Sequence, residues 1–332
     1  MPAVVLQRLL ACIGVGIGLL LAPGSLALAG CLGPYADCWS ADDAWPEPFQ
    51  GSGLLTPSIE PVRSTFSAGL ALGYLRNPVN VVAAAPDPYG DQIRVVGDWL
   101  PARALFSMGW RDLEFGAVLP FGFGASGTGL AGVTTRTEAS SLSGMGAPRL
   151  AVRFARRFGN FQLAATEQLV LPLAATGTFL GSNGFGYAPA LLGQWDGARA
   201  WLSASLGLRL ARSSAFGPSR FGSSAALAMN TGVHVSQRVK LFAETLVLPA
   251  LNEDDFSYPS AKRYSWRIPA ELLLGARLDT SQLRVSLGAG TSLPLTREHV
   301  EYADGSSATT SRYAAPPSPA LRIELRVETH WQ

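Results

Sequence analysis

The sequence predicts an all-β protein, a transmembrane antiparallel β-barrel of about twelve strands preceded by a signal peptide. Three observations predict it. Charged residues make up only 15% of a chain that is 48% hydrophobic, too few to cover an ordinary soluble surface. Apolar and polar positions alternate with the period of two that belongs to strands, and 36 Gly and 23 Pro punctuate them. Long connections alternate with short turns along the whole chain, as external loops and periplasmic turns do in outer-membrane barrels.

Residues 1–29 read as a secretory signal: Arg8 leads into the apolar run Leu9 to Leu21, and small residues follow. Gly14, Gly16, Gly18 and Pro23 argue against a membrane helix, and no later stretch holds 18 apolar residues. Of the three cysteines, Cys12 lies in the signal, and Cys31 and Cys38 follow it. Two readings stand. Cleavage after Ala29 leaves Cys31 and Cys38 free to form a disulfide in the oxidising periplasm. Alternatively, Leu28-Ala29-Gly30-Cys31 matches a lipobox, and Cys31 is lipidated with Cys38 left unpaired. Residues 30–62 (Trp39, Asp42, Asp43, Trp45, Pro46, Glu47, Pro48 among them) have no periodicity and read as a periplasmic linker or tether, with an inserted plug as the alternative.

The barrel is expected over residues 63–332. Short turns fall at Trp110-Arg111-Asp112, Gly159-Asn160, Asp196-Gly197, Ser236-Gln237 and Asp279-Thr280, all of turn-forming residues. Long connections fall at about 76–91, 122–146, 173–186, 212–220, 250–265 and 295–318, so both barrel ends belong in the periplasm. The dyad is cleanest late in the chain. Leu321, Ile323, Leu325, Val327 and Trp331 share one face, and Arg322, Glu324, Arg326, Glu328 and His330 the other. Leu283, Val285, Leu287 and Ala289 oppose Arg284, Ser286 and Gly288, and Ile268, Ala270, Leu272 and Leu274 oppose Arg267, Glu271 and Arg277. Early strands repeat the pattern with small polar faces: Phe66, Leu70, Leu72 and Tyr74 oppose Ser67, Gly69 and Gly73, and Phe115 and Leu119 oppose Glu114 and Gly116. Glu167 falls on the apolar parity of its strand, where a bulge would restore register. Aromatics at strand ends (Tyr74, Trp110, Phe121, Phe158, Trp195, Trp266, Trp331) suit interface girdles.

Several motifs together resemble the twelve-stranded barrels that precede OmpA-like peptidoglycan-binding domains. They are Tyr74 to Pro78, Gly109 to Pro120, Gln168 to Pro172, Arg238 to Glu244 and Ala270 to Gly275. More distantly the chain resembles FadL-type hydrocarbon transporters and porin-like proteins of aromatic degradation. The resemblance implies an outer-membrane location and a transport role. Two departures stand out: no peptidoglycan-binding domain follows the barrel in this chain, so anchoring by that route is not expected, and Trp331 is penultimate where barrel-assembly signals end in an aromatic residue.

Chemistry-bearing constellations are sparse. His234, His299 and His330 are the only histidines and no pair has metal-ligand spacing, so no metal site and no cofactor are expected. His234-Val235-Ser236 resembles the His-x-Ser pair of an outer-membrane phospholipase but sits at a periplasmic turn, so no enzyme is expected. The glycine-rich stretch Gly122 to Gly146 lacks a phosphate-binding ending and reads as a loop, and Asn252-Glu253-Asp254-Asp255 lacks a calcium-loop pattern. A net charge of +2 with no basic block excludes nucleic acid as a partner. The expected partners are outer-membrane lipid, the barrel-assembly machinery and small solutes of unspecified kind.

The candidate lumen residues are Arg238, Lys240, Arg267, Arg277, Arg284, Arg322 and Arg326 with Glu244, Glu271, Glu324 and Glu328, all of inward parity. They either pair across strands or line a small pore, with an open wall of Gly, Ser and Thr opposite. The functional expectation is a channel or facilitator for small solutes; the alternatives are a structural membrane anchor and, third, an outer-membrane enzyme.

Overall fold

The computed structural model describes Asp42 and residues 44–60, 66–82, 92–127, 143–174, 181, 184–211, 214–216, 219–251, 254–258, 261–266, 268–302, 307–312 and 319–331. The expected signal peptide and all three cysteines, Cys31 and Cys38 included, lie outside the described residues. Among the described residues every regular element is a strand.

Twelve strands form one closed antiparallel sheet: β1 (Phe66–Val82), β2 (Gln92–Trp110), β3 (Leu113–Ala125), β4 (Arg149–Phe158), β5 (Phe161–Val170), β6 (Gly186–Asp196), β7 (Ala200–Ala211), β8 (Ser224–His234), β9 (Val239–Val247), β10 (Ala270–Asp279), β11 (Leu283–Ser292) and β12 (Leu321–Trp331). Each pairs with its neighbour in sequence, and β12 returns to β1 with Trp331 opposite Phe66 and Leu321 opposite Arg76. Closure leaves no unpaired edge, which is what a sheet needs when lipid offers its backbone no hydrogen bonds. The tight turns lie where turn chemistry predicts them. Arg111 takes φ 55° and Gly159 φ 62° there, and Ser236 caps its turn by accepting the N–H groups of Arg238 and Val239. At the other end the loops carry strands of their own: Asp254–Tyr258, Ala261–Trp266, Thr296–Tyr302 and Ser307–Arg312 form a four-stranded sheet, and Ser214–Phe216 pairs with Ser219–Phe221. β1 and β2 also run further than expected, 17 and 19 residues, with register shifts near Val79.

The outer surface is apolar. Leu70, Leu72, Phe106, Leu150, Leu163, Leu191, Leu206, Leu274, Leu287 and Ile323 all point away from the lumen and are exposed. Phe66, Trp110, Phe158, Phe161, Trp195 and Trp331 ring the short-turn end, where indole and phenyl groups suit the lipid interface. This band places the barrel in the bacterial outer membrane, with short turns in the periplasm. The bulge expected at Glu167 is absent: β5 pairs with β4 and β6 without a register shift, and Glu167 points outward near the external end of its strand.

Candidate functional site

The lumen is filled. Residues 44–60, expected to be part of a periplasmic tether, lie inside the barrel. Ala44, Phe49, Leu54, Leu55 and Ile59 are each no more than 2% exposed. The physical reason is twofold: these apolar side chains find inward-facing apolar partners, and irregular backbone in a closed space needs wall side chains to satisfy it. Leu54 and Leu55 pack with Trp201, Phe242, Leu246 and Leu273, all of inward parity; Ile59 packs with Ala164 and Leu192. Each such side chain contributes about 1.5–3 kcal/mol on burial. The segment descends from the external end, where Asp42 meets Arg322 at the start of β12, to the periplasmic end, where Glu60 meets Lys240 at the start of β9.

Three sets of wall residues grip its backbone and side chains. In the first, fully buried Glu244 accepts the N–H groups of Leu54 (2.9 Å), Leu55 (2.6 Å) and Thr56 (3.1 Å), while Arg326 donates to the carbonyls of Glu47, Phe49 and Gly53 and to Glu328 (2.7 Å). In the second, Glu114 accepts the N–H of Gln50 and pairs with Arg153 (2.5 Å), which donates to the carbonyls of Gln50 and Ser58 and covers the Phe49 ring. The third is ionic at both ends. Asp42 is held by Arg103 and by Arg322 (2.8 Å), and Arg322 also binds Glu271 (2.6 Å) and Glu324 (2.8 Å). Glu60 takes Arg284 (2.5 Å), Arg277 (3.0 Å) and Lys240 (3.4 Å), with Asp279 bridging Lys240 and Arg284.

Two titratable groups of the segment respond oppositely. Burial pushes the Glu47 carboxyl up to about 7 against the pull of Arg153, and its Oε2 has no hydrogen-bond partner among the described residues. For Glu60 burial pushes upward as well, but Arg284, Lys240 and Arg277 outweigh it and hold the carboxyl well below the usual carboxylate range.

Of the expected lumen residues, Lys240, Glu244, Glu271, Arg277, Arg284, Arg322, Glu324, Arg326 and Glu328 are inside and buried or partly buried. They pair with each other and with the segment, and Lys240 and Arg277 also border a recess at the periplasmic end. Arg238 has the same parity but lies past the end of β8 in an exposed turn, and Arg267 lies outside the described residues. The open wall expected opposite does not exist either. A Cβ placed on Gly116 would stand 2.4 Å from Cγ of Pro48, and Arg103, Glu114, Arg149 and Arg153 face inward from β2, β3 and β4. The available signal for these four was parity within their own strands. The signal for the filling segment was apolar Phe242, Leu246 and Leu273 on faces otherwise charged.

A recess of about 220 Å³ opens at the periplasmic end between Glu60, Asp196, Trp201, His234 and Arg277. The His234 ring lies against Trp201 (5.1 Å), and the Ser236 hydroxyl accepts the N–H groups of Arg238 and Val239 within its turn. A smaller recess of about 50 Å³ lies higher, between Trp45, Glu47 and the β6–β7 wall. There the ladder runs Gly186↔Ala211 and Tyr187↔Leu210, then resumes at Ala190↔Gly207 past Pro189, which has no N–H to donate. Among the described residues no group of three or more His, Cys, Asp or Glu side chains is placed to hold a metal ion.

No protein-family model and no curated protein matches the chain. Among solved structures it is similar to an outer membrane channel from Pseudomonas putida F1, with a TM-score of 0.55 and 14% identity over 82% of this chain and 99% of that one. The fold is that of a twelve-stranded outer-membrane β-barrel. More distant likenesses are to the NanC porin (TM-score 0.45, 9% identity, 80% of this chain and 99% of that one) and the Pseudomonas putida toluene transporter TodX (0.38, 11%, 90% and 97%).

Proposed function

We propose that the protein is an outer-membrane channel for small solutes, closed by its own segment 44–60 and opened when that segment shifts. The observation that carries this reading is the way the segment is held. Glu244, Arg326 and Arg153 bind its backbone through hydrogen bonds that water can replace, so the segment can move while the wall's ladders stay intact. The name of the Pseudomonas channel supports the same reading at the level of architecture. The chain would be exported by the signal in residues 1–29, inserted by the barrel-assembly machinery and bathed in outer-membrane lipid. The mass of the mature amino terminus decides between an acylated Cys31 and a Gly30 start with Cys31 bonded to Cys38.

Single-channel recording tests the function. The refolded mature protein is expected to conduct rarely and in small steps, and a form lacking residues 42–60 to give stable unitary steps. The closed lumen, with ion pairs at both ends of the segment, equally suits a structural anchor. Silence from a segment-free barrel that still shows the gel shift of a folded barrel would select that second reading.

A further inference from the structure

At the external end of the lumen the wall brings together three arginines from strands far apart in sequence. Arg103 on β2 is neutralised by Asp42 and Glu324. Arg149, which begins β4, is 5% exposed, and Arg209, near the end of β7, is 9% exposed. Their guanidinium carbons stand 5.7 Å and 4.8 Å from the centroid of the Trp45 ring, so this one indole serves both. The charged groups acting on Arg149 are the guanidinium groups of Arg103 and Arg209, and its Nη1 has no hydrogen-bond partner among the described residues. Arg103, Arg153, Arg277, Arg284, Arg322 and Arg326, by contrast, each reach a carboxylate or a backbone carbonyl. An aromatic face replaces only part of the hydration a buried guanidinium gives up. Arg209 and Trp45 also border the 50 Å³ recess, whose wall includes Gln168 and the carboxyl of Glu47. A space of that size holds a few waters or the head of a small anion.

We propose that this external end is a binding site for the oxyanion of a small solute, a carboxylate or a phosphate, held by Arg149 and Arg209 beside Trp45. The planar guanidinium fork matches two oxygens of such a group, and the anion supplies the charge that Arg149 lacks. The inference rests on the channel reading and names the charge class of its solute. Trp45 belongs to the closing segment, so an anion that enters here meets the gate first. Burial of these arginines within the lumen favours a free solute over a lipid headgroup as the source.

The test is saturable binding of benzoate and of inorganic phosphate to the detergent-folded mature protein by titration calorimetry, at constant ionic strength and without phospholipid, with tetramethylammonium as the cation control. The wild type is expected to bind at least one of the two anions and not the cation. Arg149→Gln should weaken that binding about tenfold or more, the loss of one charge-assisted pair. Arg238→Gln, in the exposed periplasmic turn, should leave it unchanged. Arg149→Lys and Arg209→Lys, which keep the charge and lose the fork, should bind more weakly than wild type, and they carry the test if Arg149→Gln fails to fold. Absence of saturable anion binding, equal affinity in wild type and all three variants, or binding that appears only when a phosphate-bearing lipid is added would overturn the proposal. A silent barrel that binds the anion would instead overturn the channel and leave the site.

Discussion

Removing the Glu244 carboxylate should loosen the closing segment without unfolding the barrel. Its two oxygens accept three backbone N–H groups, from Leu54, Leu55 and Thr56, inside a lumen where Glu244 has no exposed surface. Each buried donor left without an acceptor costs about 1–3 kcal/mol. Alanine also removes a carboxylate that closure must dehydrate, which offsets part of that cost. Taking about 1 kcal/mol per orphaned N–H gives about 3 kcal/mol for Glu244→Ala, roughly a hundredfold shift toward the open arrangement. Glu244→Gln keeps one acceptor oxygen, enough for Leu55 and Thr56, and leaves Leu54 without a partner, so it should shift the balance by about 1 kcal/mol. The assay is maleimide labelling of Leu55→Cys, a buried position on the segment, in protein whose Cys31 and Cys38 are serine. Labelling rates should rise in the order wild type, Gln, Ala, while the folded barrel still runs anomalously on unheated SDS gels. Equal rates in all three, with the gel shift intact, would show that Glu244 does not hold the segment and that the reasoning is wrong.

Gly116→Leu should expel the segment, because its side chain must occupy the space of the rigid Pro48 ring; an unchanged closed state by protease protection would refute this. Closure should also depend on pH. Glu47 rises from an ordinary 4.5 to about 7 in the closed lumen, so between those values the closed state binds more protons than the open one and closure weakens as pH rises. Opening should increase by up to about two powers of ten from pH 5 to pH 8 and then level off, and Glu47→Gln should flatten the profile. Glu60 acts in the opposite sense: the closure it contributes is present above the ordinary carboxylate range and is lost only well below it, so it should not bend the curve between pH 5 and 8. Finally, tags inserted near Ala131 or Ser306 should be reachable on intact cells, and tags at Gly159 or Asp279 should not; the reverse would invert the topology.

The strands were legible because a barrel wall imposes one simple rule, alternate residues to lipid and lumen, and the rule is local. It marked the inward charges of β9 to β12, since Glu244, Arg284, Arg322 and Arg326 each sit among apolar neighbours of opposite parity. Turn residues set the ends of those strands. The closing segment was not legible in the same way. It has no period, and its partners lie far along the chain: Leu54 is 190 residues from Glu244, and Asp42 is 280 from Arg322. Parity also says which side a residue faces and not what it faces. An inward arginine reads alike whether it lines water or grips a carbonyl, so parity alone does not separate a pore from pairing. Arg238 shows the other limit, because parity continues past the end of a strand while the wall does not.

The most direct test is to lock the segment to the wall. A Cβ on Gly116 would lie 2.9 Å from Cβ of Pro48, slightly inside the roughly 3.5–4.5 Å span of a disulfide, so a small outward shift accommodates Pro48→Cys with Gly116→Cys. With Cys31 and Cys38 replaced by serine, this pair should abolish unitary currents when oxidised and restore openings, at or above wild-type frequency, on reduction in the same bilayer. Currents that persist unchanged through the oxidised state would contradict gating by residues 44–60.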